Sequence, residues 1–247
     1  MRKADEMKAV LLAAGRGGRL LPLTADRPKG LLKVGERTLI EYQIEFLRSA
    51  GISEIGVVTG HGAAKVRRTC GRRVAYVHNR RYKQTNSLYS LWIAKEFVGG
   101  DACLILNSDV LFHPDLLRRL LEARWENCIL VDFRKGLGEE EMKVVVENDR
   151  IVAISKNLPP SSAQGENLGI VKCGRDGARR VFEIAEQRAL QKEWDLWVPH
   201  AIQSLIGQQD FYAVASNGLP WIEIDYHHDL NLAEREILPA ILKTIKS

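Results

Sequence analysis

With 247 residues, the chain has room for one large domain, or for a core domain with a small insertion. A hydrophobic share of 45% supports a full core, and 27% charged residues excludes a low-complexity or disordered chain. The net charge of +5 admits polyphosphate or nucleic-acid partners, whereas no apolar run reaches the length that spans a bilayer, so no membrane partner is expected.

Residues 1–6 are charged and lack the apolar stretch of a signal peptide; they read as a flexible leader ahead of Met7. Cys70, Cys103, Cys128 and Cys173 are widely spaced and form no CxxC pair, which argues against a zinc site or a disulfide framework. Together these features predict a cytoplasmic protein. Arginines are densest at Arg67, Arg68, Arg72, Arg73, Arg80 and Arg81. No nucleic-acid-binding motif surrounds them, so they read as a solvated face and no nucleic-acid partner is expected.

From the N-terminus the elements alternate. The continuous apolar run 9–14 predicts a buried strand. Residues 38–50 predict an amphipathic helix, with Thr38 and Glu41 at capping-box spacing and Gly51 placed to end it. Strands are expected at 54–60, 74–79 and 102–106, and helices at 63–69, 86–97 and 114–124. Asn86 or Ser87 would cap the second helix, and Pro114 opens the third.

After residue 126 the pattern changes. A strand is expected at 127–134, then a hairpin of 142–147 with 150–156 turning at Asn148-Asp149. A loop at 158–166 precedes a strand at 168–173, and helices follow at 178–191 and 194–206. Strands at 211–215 and 221–225 lead into a helical tail interrupted at Pro239. The expected fold is α/β, Rossmann-like, with a mainly parallel central sheet, helices on both faces and a small mixed β insertion. Residues 7–247 read as a single domain whose pattern changes near residue 126, dividing it into halves 7–126 and 127–247. In such sheets ligands sit beyond the carboxyl ends of the strands.

The string Leu12-Ala13-Ala14-Gly15-Arg16-Gly17-Gly18-Arg19-Leu20 lies at that edge. Three glycines in four positions allow close backbone approach and a nest of free N–H groups for anions. Arg16 and Arg19 add full charges, and Arg27-Pro28-Lys29 adds two more cations downstream. A dinucleotide-binding turn is a rival, but Leu21 and Pro22 stand where its helix would begin. Two acids, Asp109 and Asp225, each end an apolar run, and they could converge on one Mg²⁺ ion. His227, His228 and Asp229 follow directly; Asp229 is better explained as a helix cap.

The glycine-rich string, followed by Pro22-Leu23-Thr24 and Arg27-Pro28-Lys29-Gly30-Leu31, closely resembles the signature of the sugar-phosphate nucleotidyltransferase superfamily. That resemblance implies transfer of a nucleoside monophosphate from an NTP to a phosphorylated acceptor, with release of pyrophosphate. It implies that residues 13–19 cradle the nucleotide, that Lys29 contacts the reacting phosphates, that Asp109 and Asp225 bind the metal, and that Lys156 grips the acceptor phosphate.

Asn86-Ser87-Leu88-Tyr89-Ser90-Leu91 and Glu41-Tyr42-Gln43-Ile44-Glu45-Phe46-Leu47 resemble the cytidylyltransferase branch that acts on phosphocholine and aminoethylphosphonate, which implies CTP. The expected catalytic set is Lys29, Arg19 and Asp109. The expected nucleotide contacts are Leu12 to Arg19, Gly60, Asn86, Ser87 and Asn107. Lys156, Glu166, Gly169, Trp194 and Trp197 are the expected acceptor contacts; an acid at Glu166 favours a polyhydroxylated acceptor such as a hexose 1-phosphate. Trp194 and Trp197 could instead be helix-core residues, and a homodimer is left open. The rival classes are a sugar-1-phosphate nucleotidyltransferase, a catalytically inactive nucleotide-binding subunit and an NAD-dependent oxidoreductase.

Overall fold

The computed structural model describes residues 7–134 and 136–245, so the expected leader lies outside the described residues. Strand β1 (Met7–Ala13) lies inside the sheet, and its side chains alternate between two cores. Ala9, Leu11 and Ala13 join one cluster; Val10, Leu12 and Ala14 join the other. Burial on both faces is why the run 9–14 is continuously apolar rather than alternating.

A two-residue pair, β2 (Lys33–Val34) and β3 (Arg37–Thr38), leads into α1 (Leu39–Ser49). The capping box forms as expected, with Thr38 accepting from the Glu41 amide and Glu41 accepting from Thr38. Then come β4 (Ile55–Thr59), α2 (Ala63–Cys70) and β5 (Ala75–His78). The expected helix over 86–97 divides into α3 (Ser87–Trp92), capped by Asn86, and α4 (Lys95–Val98). Strand β6 (Ala102–Asn107) is followed at once by β7 (Val110–Phe112) and α5 (Pro114–Glu122).

The second half contributes β8 (Cys128–Phe133) and the hairpin β9 (Lys143–Glu147) with β10 (Arg150–Ser155). Asn148 and Asp149 both take positive φ, as a two-residue hairpin turn requires. Strand β11 (Gly165–Cys173) starts earlier than its apolar residues suggest. Helices α6 (Arg175–Leu190) and α7 (Val198–Leu205) follow. Trp194 and Trp197 lie outside both helices, because Pro199 sets the α7 start after them. Strands β12 (Tyr212–Ala215) and β13 (Trp221–Glu223) precede α8 (His227–Leu232). A π-helical stretch, Ala233–Ile237, then passes into α9 (Leu238–Ile245), so Pro239 sits in the first turn of a new segment.

The main sheet has the order β5-β4-β1-β6-β11-β8-β12-β10-β9. Pairing is parallel from β5 to β6 and between β8 and β12. Strand β11 is antiparallel to both β6 and β8, which joins the two halves of the chain in one mixed sheet. One core packs α1, α5 and α9 on one face; the other packs α3, α6 and α7 on the opposite face. Among the described residues no helix is long and apolar enough to cross a membrane.

Candidate active site

A cleft of about 380 Å³ lies at the carboxyl ends of β1 and β6. The turn after β1 forms one wall. Gly17 takes φ +62, and a Cβ there would stand 2.7 Å from Lys29 Cγ, so only glycine lets the loop and Lys29 approach. Thr24 Oγ1 donates to the Gly17 carbonyl at 2.7 Å and holds the turn closed.

Lys29 is the focus of the cleft. Its Nζ donates to Asp109 Oδ2 at 3.0 Å and to Asp225 Oδ1. Burial alone would lower the Lys29 pKa, but Asp109 and Asp225 outweigh it and hold the ammonium above its ordinary range. The two aspartates are brought together by a feature the sequence did not announce. Strands β7 and β13 form a separate antiparallel pair, and Ile224 N donates to the Asp109 carbonyl at 3.0 Å. Gln43 of α1 fixes the other side, donating from Nε2 to the carbonyls of Asn107 and Val110 at 2.9 and 2.7 Å. Asp229, the third residue of α8, accepts at Oδ2 from the amides of Asp225 and Tyr226 at 2.9 and 2.7 Å, so it caps the helix from the capping-box position rather than as the N-cap itself, which is Tyr226.

Glu223 completes the cluster. Oxygen atoms of Asp109, Glu223 and Asp225 lie within 4.8 Å of one another. Burial, reinforced by the two neighbouring aspartates, pushes the Glu223 carboxyl up to about 8. The sequence does carry a signal for it: Glu223 and Asp225 are two apart on an extended segment, which puts both on one face. Three carboxylates around one point suit a hard divalent cation, which takes oxygen ligands.

Above this centre Arg19 Nη1 donates to Asp225 at 3.1 Å, and Arg19 Nη2 donates to Glu140 at 3.2 Å. Glu140 also faces Lys156 at 3.8 Å, so it spans the two sides of the cleft. Its loop is anchored by Lys143, whose buried Nζ donates to the carbonyls of Gly138, Glu139 and Glu141. Asn86, Ser87 and Asn107 line the cleft, as do Leu12, Ala14, Gly15, Gly17 and Gly18. Lys156 and Trp197 line its far side, with Lys156 Nζ 5.3 Å above the Trp197 ring. Tyr82, Thr85 and Asn167 also line it and were not anticipated.

Six of the expected residues stand apart from the cleft lining. Ala13 is buried within β1, and Arg16 is exposed beside it. Gly60 packs against Tyr82 and the Ala14 carbonyl. Gly169, at φ +75, packs against the Asn107 side chain. Trp194 donates from Nε1 to the Ala189 carbonyl and carries the Arg81 guanidinium on its ring. Glu166 is buried and accepts from Arg134 at 2.5 Å; burial, opposed by Arg134, pushes its carboxyl up to about 7.

Residues 9–192 match the MobA-like NTP transferase domain. The chain belongs to that family. A choline-phosphate cytidylyltransferase of Streptococcus pneumoniae is 42% identical over 237 residues, covering 94% of this chain and 98% of the relative. A CTP:phosphoglutamine cytidylyltransferase of Campylobacter jejuni is 27% identical over 251 residues, covering 92% and 98%. The inositol-1-phosphate CTP transferase of T. maritima shares the fold, with a TM-score of 0.81, 24% identity and 98% coverage of each chain. As a MobA-like NTP transferase domain, the chain is a nucleotidyltransferase of Rossmann-like α/β fold, and its cleft joins a glycine-rich loop to a carboxylate cluster across one lysine.

Proposed function

We propose that this nucleotidyltransferase moves CMP from CTP onto a small phosphorylated or phosphonate acceptor and releases pyrophosphate. The observation that carries the proposal is the position of Lys29, whose ammonium stands between the glycine-rich loop and the Asp109–Asp225 pair, in a cleft closed on its far side by Lys156. The likeness to cytidylyltransferases whose names specify phosphocholine and phosphoglutamine supports the choice of CTP and of a small phosphorylated acceptor.

An acceptor phosphate or phosphonate oxygen is already anionic at neutral pH, so it needs no general base. It attacks the α-phosphorus in line; a new P–O bond forms while the bond to the β-phosphate oxygen breaks and pyrophosphate leaves. Catalysis then rests on positioning and charge. Lys29 neutralises charge at the α-phosphate, Arg19 holds the departing pyrophosphate, and Lys156 holds the acceptor phosphate. The loop amides at Gly15, Gly17 and Gly18 and the side chains of Asn86, Ser87 and Asn107 bind the nucleotide. Asp109, Glu223 and Asp225 would hold Mg²⁺, and bound there it would neutralise phosphate charge. Glu166, paired with Arg134 away from the cleft lining, gives no support to a hexose 1-phosphate acceptor.

Pyrophosphate release is measured with CTP, UTP, GTP, ATP and dTTP, each against phosphocholine, aminoethylphosphonate, inositol phosphate and hexose 1-phosphates, with and without Mg²⁺. CTP with a small acceptor and Mg²⁺ is expected to give the highest kcat/KM. Preference for UTP or dTTP with a hexose 1-phosphate would overturn the proposal.

A further inference from the structure

The loop between β8 and β9 sets one carboxylate between two cations of the cleft. Glu140 Oε2 lies 3.2 Å from Arg19 Nη2 and 3.8 Å from Lys156 Nζ. These are the groups given above to the departing pyrophosphate and to the acceptor phosphate. The carboxylate therefore stands where two anionic ligands have to arrive, and like charge sets it against both.

The backbone that carries Glu140 is fixed. Lys143 is 1% exposed, and its ammonium donates to the carbonyls of Gly138, Glu139 and Glu141 at 2.9, 3.2 and 3.3 Å, on both sides of Glu140. An ammonium has three N–H groups, so all are satisfied and the buried charge is compensated. The Glu141 carboxylate accepts from the Gly138 amide at 2.8 Å and from Arg134 at 3.3 Å, which ties the turn to itself. The Glu140 side chain, by contrast, is 67% exposed. Its carboxylate can swing away from the two cations without disturbing the core.

We infer that Glu140 is an internal competitor for both phosphate positions, and that it couples nucleotide binding to acceptor binding. This rests on the nucleotidyl transfer proposed above. In the closed arrangement the carboxylate holds Arg19 and Lys156, and each substrate binds once it has left. The first substrate has to open the site; the second finds it open. Coupling is reciprocal, so CTP tightens acceptor binding by the factor by which acceptor tightens CTP binding. The same factor is the gain in affinity for either substrate alone when Glu140 loses its charge. Two exposed ion pairs set it at about fivefold.

Calorimetry on the full chain with Mg²⁺ measures Kd for the non-reacting CTP analogue whose α–β bridging oxygen is replaced by methylene. Without acceptor, Glu140→Gln is expected to bind it about fivefold tighter than the parent. Glu139 is exposed and makes no ion pair with Arg19 or Lys156. Glu139→Gln removes the same charge from the same loop and is expected to stay within about twofold of the parent. The titrations are repeated with saturating phosphocholine, aminoethylphosphonate or inositol 1-phosphate. An acceptor should tighten binding by about fivefold in the parent and leave Glu140→Gln within about twofold of its acceptor-free value. The inference is overturned if Glu140→Gln binds the analogue no more tightly than the parent, or if Glu139→Gln gains as much. It is also overturned if none of the three acceptors tightens binding more in the parent than in Glu140→Gln. Failure of every protein to bind the analogue instead overturns the nucleotidyl transfer itself, and this inference with it.

Discussion

Replacing Lys29 by methionine keeps most of the side-chain volume and removes an ammonium that touches both Asp109 and Asp225. At 3.0 Å, a unit charge pair in an effective dielectric of ~20 interacts by about 5 kcal/mol. The net loss is smaller, because the carboxylates left behind take up protons and water. Breaking such a pair is expected to cost about 3 kcal/mol. For a chain of this size that lowers Tm by roughly 6–12 °C in EDTA. Added Mg²⁺ recovers part of the loss, because the three orphaned carboxylates then have a cation. Turnover does not recover: losing a charge that faces the reacting phosphate lowers kcat by about 100- to 1,000-fold. Thermal unfolding with and without Mg²⁺, alongside pyrophosphate release, reads both effects. A folded Lys29→Met protein with kcat within about threefold of the parent would refute the role given to Lys29.

Three further outcomes follow from neighbouring groups. Glu223→Gln removes one carboxylate of the cluster and is expected to weaken Mg²⁺ activation by about tenfold or more, read as a shift of the Mg²⁺ concentration at half-maximal rate; an unmoved midpoint contradicts a ligand role. Gly169→Ala forces a Cβ to within 2.6 Å of Asn107 Nδ2 at a positive φ. It should destabilise the protein by about 1–3 kcal/mol and raise KM for the nucleotide, measured by denaturant unfolding and initial rates. The folded-state pKa of Glu166, near 7, lies above its usual unfolded value of ~4.3. The folded state therefore binds that proton more tightly, and stability falls as pH rises from about 4.3 to about 7. Glu166→Gln removes this contribution, so the stability difference between pH 5 and pH 8 shrinks by roughly 2 kcal/mol; unchanged urea midpoints at both pH values would contradict it.

Where local chemistry was strong, the sequence foretold the structure. The apolar run of β1, the Thr38–Glu41 capping box and the Asn148-Asp149 turn each have a cause within a few residues, and each appears. Lys29, Asp109 and Asp225, far apart in the chain, do meet at one point. What was not legible depends on distant partners. Strand β13 falls inside the expected strand 221–225, but β7, three residues long, is too short for a periodic signal, and its pairing with β13 sets the separation of the aspartates. Glu223 was read as part of an apolar strand, although its spacing from Asp225 placed it on the same face. Glu140 sits on a loop whose position is set by a buried Lys143, and no local pattern predicts an ammonium capturing three carbonyls. Trp194 and Trp197 looked helical by spacing, but Pro199 starts α7 after them.

Nucleotidyl transfer predicts a definite fate for each phosphorus of CTP. The most direct measurement follows CTP labelled separately at the α- and γ-phosphates, in the presence of Mg²⁺ and a small phosphorylated acceptor. The α-label should pass into the acceptor product, and the γ-label should leave entirely as pyrophosphate, only when acceptor is present. Transfer of the γ-label to the acceptor, or release of label that does not depend on acceptor, would contradict it.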